Sequence, residues 1–162
     1  MAAPHKSKQK SSDDEIKVIL RNKKARHDYF VEETFEAGVV LQGSEVKSLR
    51  ESKAVLGDAY VAVKRGEAWL HQLSITEYPW ANRWNHAPKR DRKLLLHRRE
   101  IDKIDEATGQ QGMTALPLEV YLKNGKIKVL VGICKGKKLY DKRAESKKRD
   151  AKREVDAAIR RR

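Results

Sequence analysis

One cysteine, Cys134, stands in a chain of 162 residues. That excludes an intrachain disulfide and any multi-cysteine zinc site, and leaves the thiol as a small buried side chain at a strand end. Long apolar runs are absent; none approaches the ~20 residues that cross a bilayer as a helix. The opening MAAPHKSKQKSSDDE lacks an apolar core, so it does not read as a secretory signal. A cytoplasmic protein with no membrane partner is the expectation. Walker-type, Gly-x-Gly-x-x-Gly and Gly-x-Ser-x-Gly loops are missing too. The histidines (His5, His27, His71, His86 and His97) show no metal-ligand spacing on a common element, so no metal and no cofactor are expected. His27 adjoins Asp28, but neighbours on a strand face opposite ways, which argues against a base and its orienter. The expectation is a binding protein without catalytic residues. A small ribonuclease using His27 and a nearby carboxylate is the alternative from another class.

Negative charge is the scarcer sign. Lys and Arg number 37 against 23 Asp and Glu, a formal net charge of +14. Such an excess points to a polyanion, nucleic acid before an anionic membrane. The cations cluster in RNKKARH (21–27), KRDRK (89–93) and KGKKLYDKR (135–143), none balanced by an acidic run, which favours phosphate contacts over a merely solvated surface. Aromatics lie near them: Tyr29, Trp80, Trp84 and Tyr140. Such rings can stack on unpaired bases, although Tyr29 reads better as core.

Residues 1–14 are polar and read as a disordered arm. DYFVEETFEAGVVLQG (28–43) reads as a long strand bent at a bulge at Gly38, and SEVKSLRES (44–52) as a short helix capped by Ser44, with Val46 and Leu49 facing a core. Residues 58–75 read as a hairpin turning near Arg65-Gly66, and 76–90 as an exposed loop. RKLLLHRREIDKIDEA (92–107) keeps helical spacing through Leu94, Ile101 and Ile104. The strongest local signal is ALPLEVYLKNGKIKVLVGI (115–133): Leu116, Leu118, Val120 and Leu122 alternate, Asn124-Gly125 supplies a type I′ turn, and Ile127, Val129, Val131 and Ile133 alternate back. From Cys134 on little is left to bury. Residues 144–162 carry one thin apolar stripe, Ala151, Val155, Ala158 and Ile159, too weak for a lone helix in water. About six strands must close their edges, so the expected fold is mainly β, an OB-like closed barrel over 15–134 with inserted short helices, followed by a basic tail over 135–162 that is helical only against a partner. An open α+β sheet is the alternative.

Three blocks, NKKARHDYFVEETFEAGVVLQGSEVKSLR (22–50), NHAPKRDRKLLLHRREI (85–101) and KGKKLYDKR (135–143), closely resemble the SmpB family of SsrA-binding proteins, in order over roughly residues 16–143. The resemblance implies an OB-type barrel that binds transfer-messenger RNA (tmRNA). It implies delivery, with EF-Tu, to ribosomes stalled without a stop codon, where the nascent chain is tagged for proteolysis. It also implies that Asn22, Glu36 and Leu94, Leu95 and Leu96 hold the tRNA-like domain of tmRNA. Lys23, Lys24, Arg26, His27, Lys47, Arg50, Arg92 and Lys93 lie in the same blocks and complete the expected RNA-binding set. Lys135, Gly136, Lys137, Lys138, Tyr140, Asp141, Lys142 and Arg143 fall to the ribosome, in the decoding centre and the empty mRNA channel. The expected state is a monomer. Taken alone, Glu36 reads as an ordinary surface strand residue; a carboxylate in an RNA site can accept hydrogen bonds from base amino or imino groups. A general OB-fold RNA-binding translation factor remains the alternative.

Overall fold

The computed structural model describes residues 15–161; the arm expected over 1–14 lies outside them. The architecture is mainly β with a few helices: β1 (Ile16–Arg21), α1 (Lys23–Asp28), β2 (Tyr29–Val39), α2 (Gly43–Arg50), β3 (Ala54–Val55), β4 (Tyr60–Lys64), β5 (Glu67–His71), β6 (Ser74–Ile75), a 3-10 turn (Asn82–Trp84), β7 (Arg92–Leu95), α3 (Arg98–Thr108), β8 (Met113–Lys123), β9 (Lys126–Gly136) and α4 (Leu139–Arg160). Seven strands form one antiparallel sheet in the order β1-β8-β4-β5-β7-β2-β9, with β9 also paired to β8, so the pairings of six strands return to their start. The other two, β3 and β6, pair separately.

The strands form where apolar residues alternate. β8 and β9 run back to back from Lys123↔Lys126 through Leu122↔Ile127 and Val120↔Val129. Their turn, Asn124-Gly125, holds φ at 51° and 77°, as a type I′ turn requires; Arg65-Gly66, at 52° and 73°, does the same between β4 and β5. The register slips between Pro117 and Glu119, where a residue without an N–H interrupts the ladder. Leu49, Leu70, Leu94, Ile104, Val120 and Val131 are among the core side chains closed from water. Each such burial contributes about 1.5–3 kcal/mol. A smaller cluster of Ala25, Leu118 and Cys134 seats α1 on the sheet. Burial pushes the Cys134 thiol up to about 11, so it stays protonated at neutral pH.

Several expectations need correction. Among the described residues strands number nine, six of them in the cycle of pairings, and β1 precedes the first basic cluster, most of which folds as α1. Gly38 sits in regular pairing with Leu95; the slip in β2 lies between Val31 and Glu33. A Cβ at Gly38 would meet Leu95 Cβ at 3.2 Å, so the glycine serves the close approach of β7. Ser44 does not cap α2: the helix starts at Gly43, and Glu45 Oε2 accepts from the Gln42 N–H at 2.8 Å. The helix expected over 92–107 is a strand followed by a helix. Arg92–Leu95 pairs between β2 and β5, with Leu94 inward and Leu95 outward, and α3 begins only at Arg98. β9 also runs past Cys134 to Gly136, so Lys135 and Gly136 belong to the sheet, opposite Phe30 and Tyr29.

Candidate nucleic-acid interface

Glu36 lies on the outer face of β2, between the inward Phe35 and Ala37. Its carboxylate is held from two strands away. The Tyr121 hydroxyl of β8 donates to Oε2 at 2.5 Å, and Lys123 Nζ approaches both oxygens at 3.4 Å. The Tyr121 hydrogen bond, helped by Lys123 and Lys128, holds Glu36 below the usual carboxylate range despite its partial burial. Tyr121 itself is pushed up, by burial first and then by Glu36. Glu36 is therefore a fixed, ionised acceptor at neutral pH.

β7 and the start of α3 close over it. Glu36, Gly38, Leu95, Leu96, His97, Glu100 and Lys128 line one groove of about 330 Å³, with Glu100 held by the His97 N–H at 2.9 Å. Leu95 is half exposed on the groove, Leu96 is half-buried, and Leu94 points into the core. The fold thus brings Glu36 and two of the three leucines together from separate parts of the chain. Leu94 supports them from beneath. Tyr121, Lys123, Lys128 and His97 join this site without having been singled out in the sequence. Only Tyr121 left a trace there, as an aromatic with a hydroxyl in an otherwise aliphatic strand.

The first basic cluster divides. Asn22 is buried: its Oδ1 accepts from the Ala25 N–H at 3.0 Å, capping α1, and its Nδ2 donates to the Pro117 carbonyl at 3.0 Å. It positions α1, and with Lys24, Tyr29 and Tyr60 it lines a pocket of about 270 Å³. That helix exposes Lys23, Lys24 and Arg26. Lys24 pairs with Asp58 at 3.3 Å, and Arg26 with Glu119 at 3.0 Å. His27 and Asp28 end the helix rather than lying on a strand, so the geometric objection to their pairing falls: His27 Nδ1 donates to Asp28 Oδ1 at 2.9 Å. That bond, and then Lys142 at 3.2 Å, hold Asp28 below its ordinary range.

Arg92 is the clearest correction to the expected set. It is fully buried and pairs with the equally buried Glu45 of α2, Nη2 to Oε1 at 2.7 Å. Its remaining donors reach the Leu73 carbonyl at 2.7 Å and the Pro88 carbonyl at 3.1 Å. A guanidinium closed from water and committed to five acceptor contacts is not available to phosphate. Burial pushes Glu45 up, but Arg90, the Gln42 N–H and Arg92 outweigh it and hold the carboxyl below its usual range. Lys93 pairs with Glu67 at 2.7 Å. Lys47 and Arg50 stand exposed on α2, Lys47 with its ammonium 5.3 Å from the Tyr78 ring centroid.

The tail residues also divide. The Lys137 side chain is covered: it donates to the Arg26 carbonyl at 3.3 Å, pairs with Glu145 and lies over the Phe30 ring. It anchors the root of α4 and is not free for phosphate. Asp141 caps α4, accepting from the Lys138 N–H at 3.3 Å. Lys135, Lys138, Tyr140 and Arg143 are exposed, and Lys142 is tied to Asp28. The helix of α4 buries no residue. No described helix is long and apolar enough to cross a membrane.

With this geometry in hand, likeness to known proteins is informative. The family model described as SmpB protein matches residues 19–161. The chain belongs to the SmpB family. The SsrA-binding protein of Bacillus pumilus (strain SAFR-032) is 56% identical over 146 residues, 90% of this chain and 94% of the relative. The SsrA-binding protein of Geobacillus sp. (strain WCH70) is 55% identical over 148 residues, 91% and 96% respectively. A chain of a solved structure described as "tmRNA-SmpB: a journey to the center of the bacterial ribosome" matches with a TM-score of 0.64 at 42% identity, over 74% of this chain and 85% of that one. The matched chain of that solved structure thus shares the β-rich frame that carries Glu36 here.

Proposed function

We propose that this protein is a non-enzymatic adaptor that binds the tRNA-like domain of tmRNA and delivers it to stalled ribosomes. The observation that carries the reading is the shared groove of Glu36, Leu95 and Leu96, with the carboxylate fixed by Tyr121. An ionised acceptor beside apolar walls suits an unpaired base: the carboxylate takes base N–H donors while leucine covers the ring face. Exposed Lys23, Lys24, Arg26, Lys47 and Arg50 supply phosphate contacts that fix position without reading sequence. The relatives' names and the ribosome-bound neighbour support tmRNA as the partner. In this reading the six-strand cycle of pairings acts as an OB-like barrel, the delivering species is a monomer, and EF-Tu joins the delivery complex.

The tail in this reading works apart from the groove. Lys135, Lys138, Lys142 and Arg143 bind rRNA phosphates once Lys142 leaves Asp28, and Tyr140 offers a flat face to a decoding-centre base. The helix beyond buries no residue and gains its stability on the ribosome. The reading is tested by the RNA that co-purifies with the full chain. A single folded RNA carrying a tRNA-like end is expected; a spread of unstructured RNAs would favour the general translation-factor alternative.

A further inference from the structure

The most exposed aromatic side chains among the described residues are Trp80 and Trp84, at 82% and 77% of full accessibility. Neither lines the Glu36 groove. An indole carries a large apolar payload, so leaving two in water is a cost that the Arg83 guanidinium beside Trp84 offsets only in part. The segment that holds them is built rather than slack. Asn85 Oδ1 accepts from the Tyr78 N–H at 3.0 Å, and Asn85 Nδ2 donates to the Tyr78 carbonyl at 2.7 Å, which clasps residues 78–85 into a closed loop. The 3-10 turn Asn82–Trp84 shapes its tip. His86 pins its base: Nε2 donates to the Ile75 carbonyl at 2.9 Å, and Nδ1 accepts from the Ser44 hydroxyl at 2.9 Å. A clasped loop that presents two rings loses little entropy when a ligand settles on them.

The charge around the rings indicates the ligand. Within residues 76–90, Arg83 and Lys89 face the single acid Glu77, while Arg90 is tied to the buried Glu45. The Arg83 guanidinium lies 5.1 Å from the Trp84 ring centroid, and Lys47 of α2 lies over Tyr78 at the clasp. An aromatic face flanked by cations matches a nucleotide, whose base is flat and whose phosphate is anionic. An apolar protein surface docking here would strip water from Arg83 and offer it no counter-charge.

We propose that the clasped loop 78–85 is a second RNA contact, a stacking platform on which Trp80 and Trp84 each take an unpaired base while Arg83 and Lys47 meet the flanking phosphates. It shares with the function proposed above the ligand class and one phosphate contact, Lys47, and uses none of the groove residues.

The test uses the full chain with a short single-stranded oligoadenylate, and the same strand annealed into a duplex. Affinity is read by anisotropy of the labelled RNA, and stacking by quenching of tryptophan emission against the background of Trp69. Trp80→Ala and Trp84→Ala should each weaken oligoadenylate binding by about tenfold, with the salt dependence unchanged, because stacking releases no counterions. Trp80→Phe and Trp84→Phe should stay near wild type. Arg83→Gln should lower the salt slope instead. Thermal unfolding of the alanine variants should match wild type, since both rings are exposed. Glu36→Ala should lose the tRNA-like domain yet keep oligoadenylate, so failure of the groove reading and failure of the platform are told apart. The platform is overturned if the alanine variants bind oligoadenylate as wild type does, or if duplex binding falls by the same factor. Unchanged RNA binding with loss of a protein partner would also overturn it, and would assign the loop to protein docking.

Discussion

Tyr121 reaches past β9 to donate its hydroxyl to Glu36 at 2.5 Å, so an acid on one strand is aimed by a phenol two strands away. The relationship predicts a pH effect. Glu36 must be ionised to accept from a base, and the Tyr121 bond lowers its folded-state pKa. Wild type should therefore keep its RNA affinity to a lower pH than a variant without the bond. In Tyr121→Phe the acid limb of binding to the tRNA-like domain should move upward in pH, with a smaller loss at neutral pH. Affinity measured from about pH 4 to pH 7, spanning the ordinary carboxylate range, checks this. An acid limb that does not move would show that the phenol only fills space.

The root of the tail sets where the chain can be cut. Ile133 and Cys134 are buried, and β9 pairs as far as Gly136. A chain ending after Lys138 should unfold near the wild-type temperature, bind the tRNA-like domain, and fail to tag on stalled ribosomes. One ending at Gly132 loses the buried Ile133 and should be destabilised by at least the ~2–5 kcal/mol of an Ile→Ala truncation. Calorimetry of the two chains separates the cases. Within the full tail, Tyr140→Ala should reduce tagging on a non-stop message, while Tyr140→Phe retains it.

Glu45 and Arg92 form the buried electrostatic centre that joins α2 to β7. Glu45→Gln leaves Arg92 buried without its counter-charge, and should cost about 3–5 kcal/mol at pH 7. The pH dependence has a definite sign. The folded-state pKa of Glu45 lies below its unfolded value, so its contribution is fully present above the ordinary glutamate range and is lost as pH falls through the folded value. The acid-side decline of wild-type stability should be shallower in Glu45→Gln. Denaturant melts from pH 7 downward measure it; parallel declines would contradict the assignment.

The helix α4 should be marginal in free protein, because it buries no residue and is tied down only near its root by Lys137 and Lys142. Amides of residues 147–159 should exchange almost unprotected in solution and gain protection on ribosomes. Strong protection in the free chain would show that the helix is stable alone.

Much of the frame was legible because its signals are local. The alternation through Leu116–Leu122 and Ile127–Ile133 about Asn124-Gly125 gives β8 and β9 with their register, and Arg65-Gly66 marks the other tight hairpin. β7 was not legible. In RKLLLHRREI, Leu94 lies seven residues before Ile101 and mimics helical spacing, while the sheet neighbours that make Arg92–Leu95 a strand lie far off in the chain. The same reason hid the fate of the cations. Whether Arg92 meets phosphate or Glu45 depends on a partner 47 residues away, and local charge clustering carries no record of it. Glu36 and the leucines entered the expected set through family resemblance alone; that Tyr121 orients Glu36 left no sign, since no local pattern links β2 to β8.

The most direct measurement is the affinity of Glu36→Ala for the isolated tRNA-like domain of tmRNA, beside wild type at one salt concentration. Electrostatics alone predicts tighter binding, because the variant removes an acid from a chain of net charge +14. A base-reading carboxylate predicts the opposite sign, a loss of about tenfold or more. Weaker binding with an unchanged unfolding temperature supports the account. Binding as tight as wild type, or tighter, contradicts it.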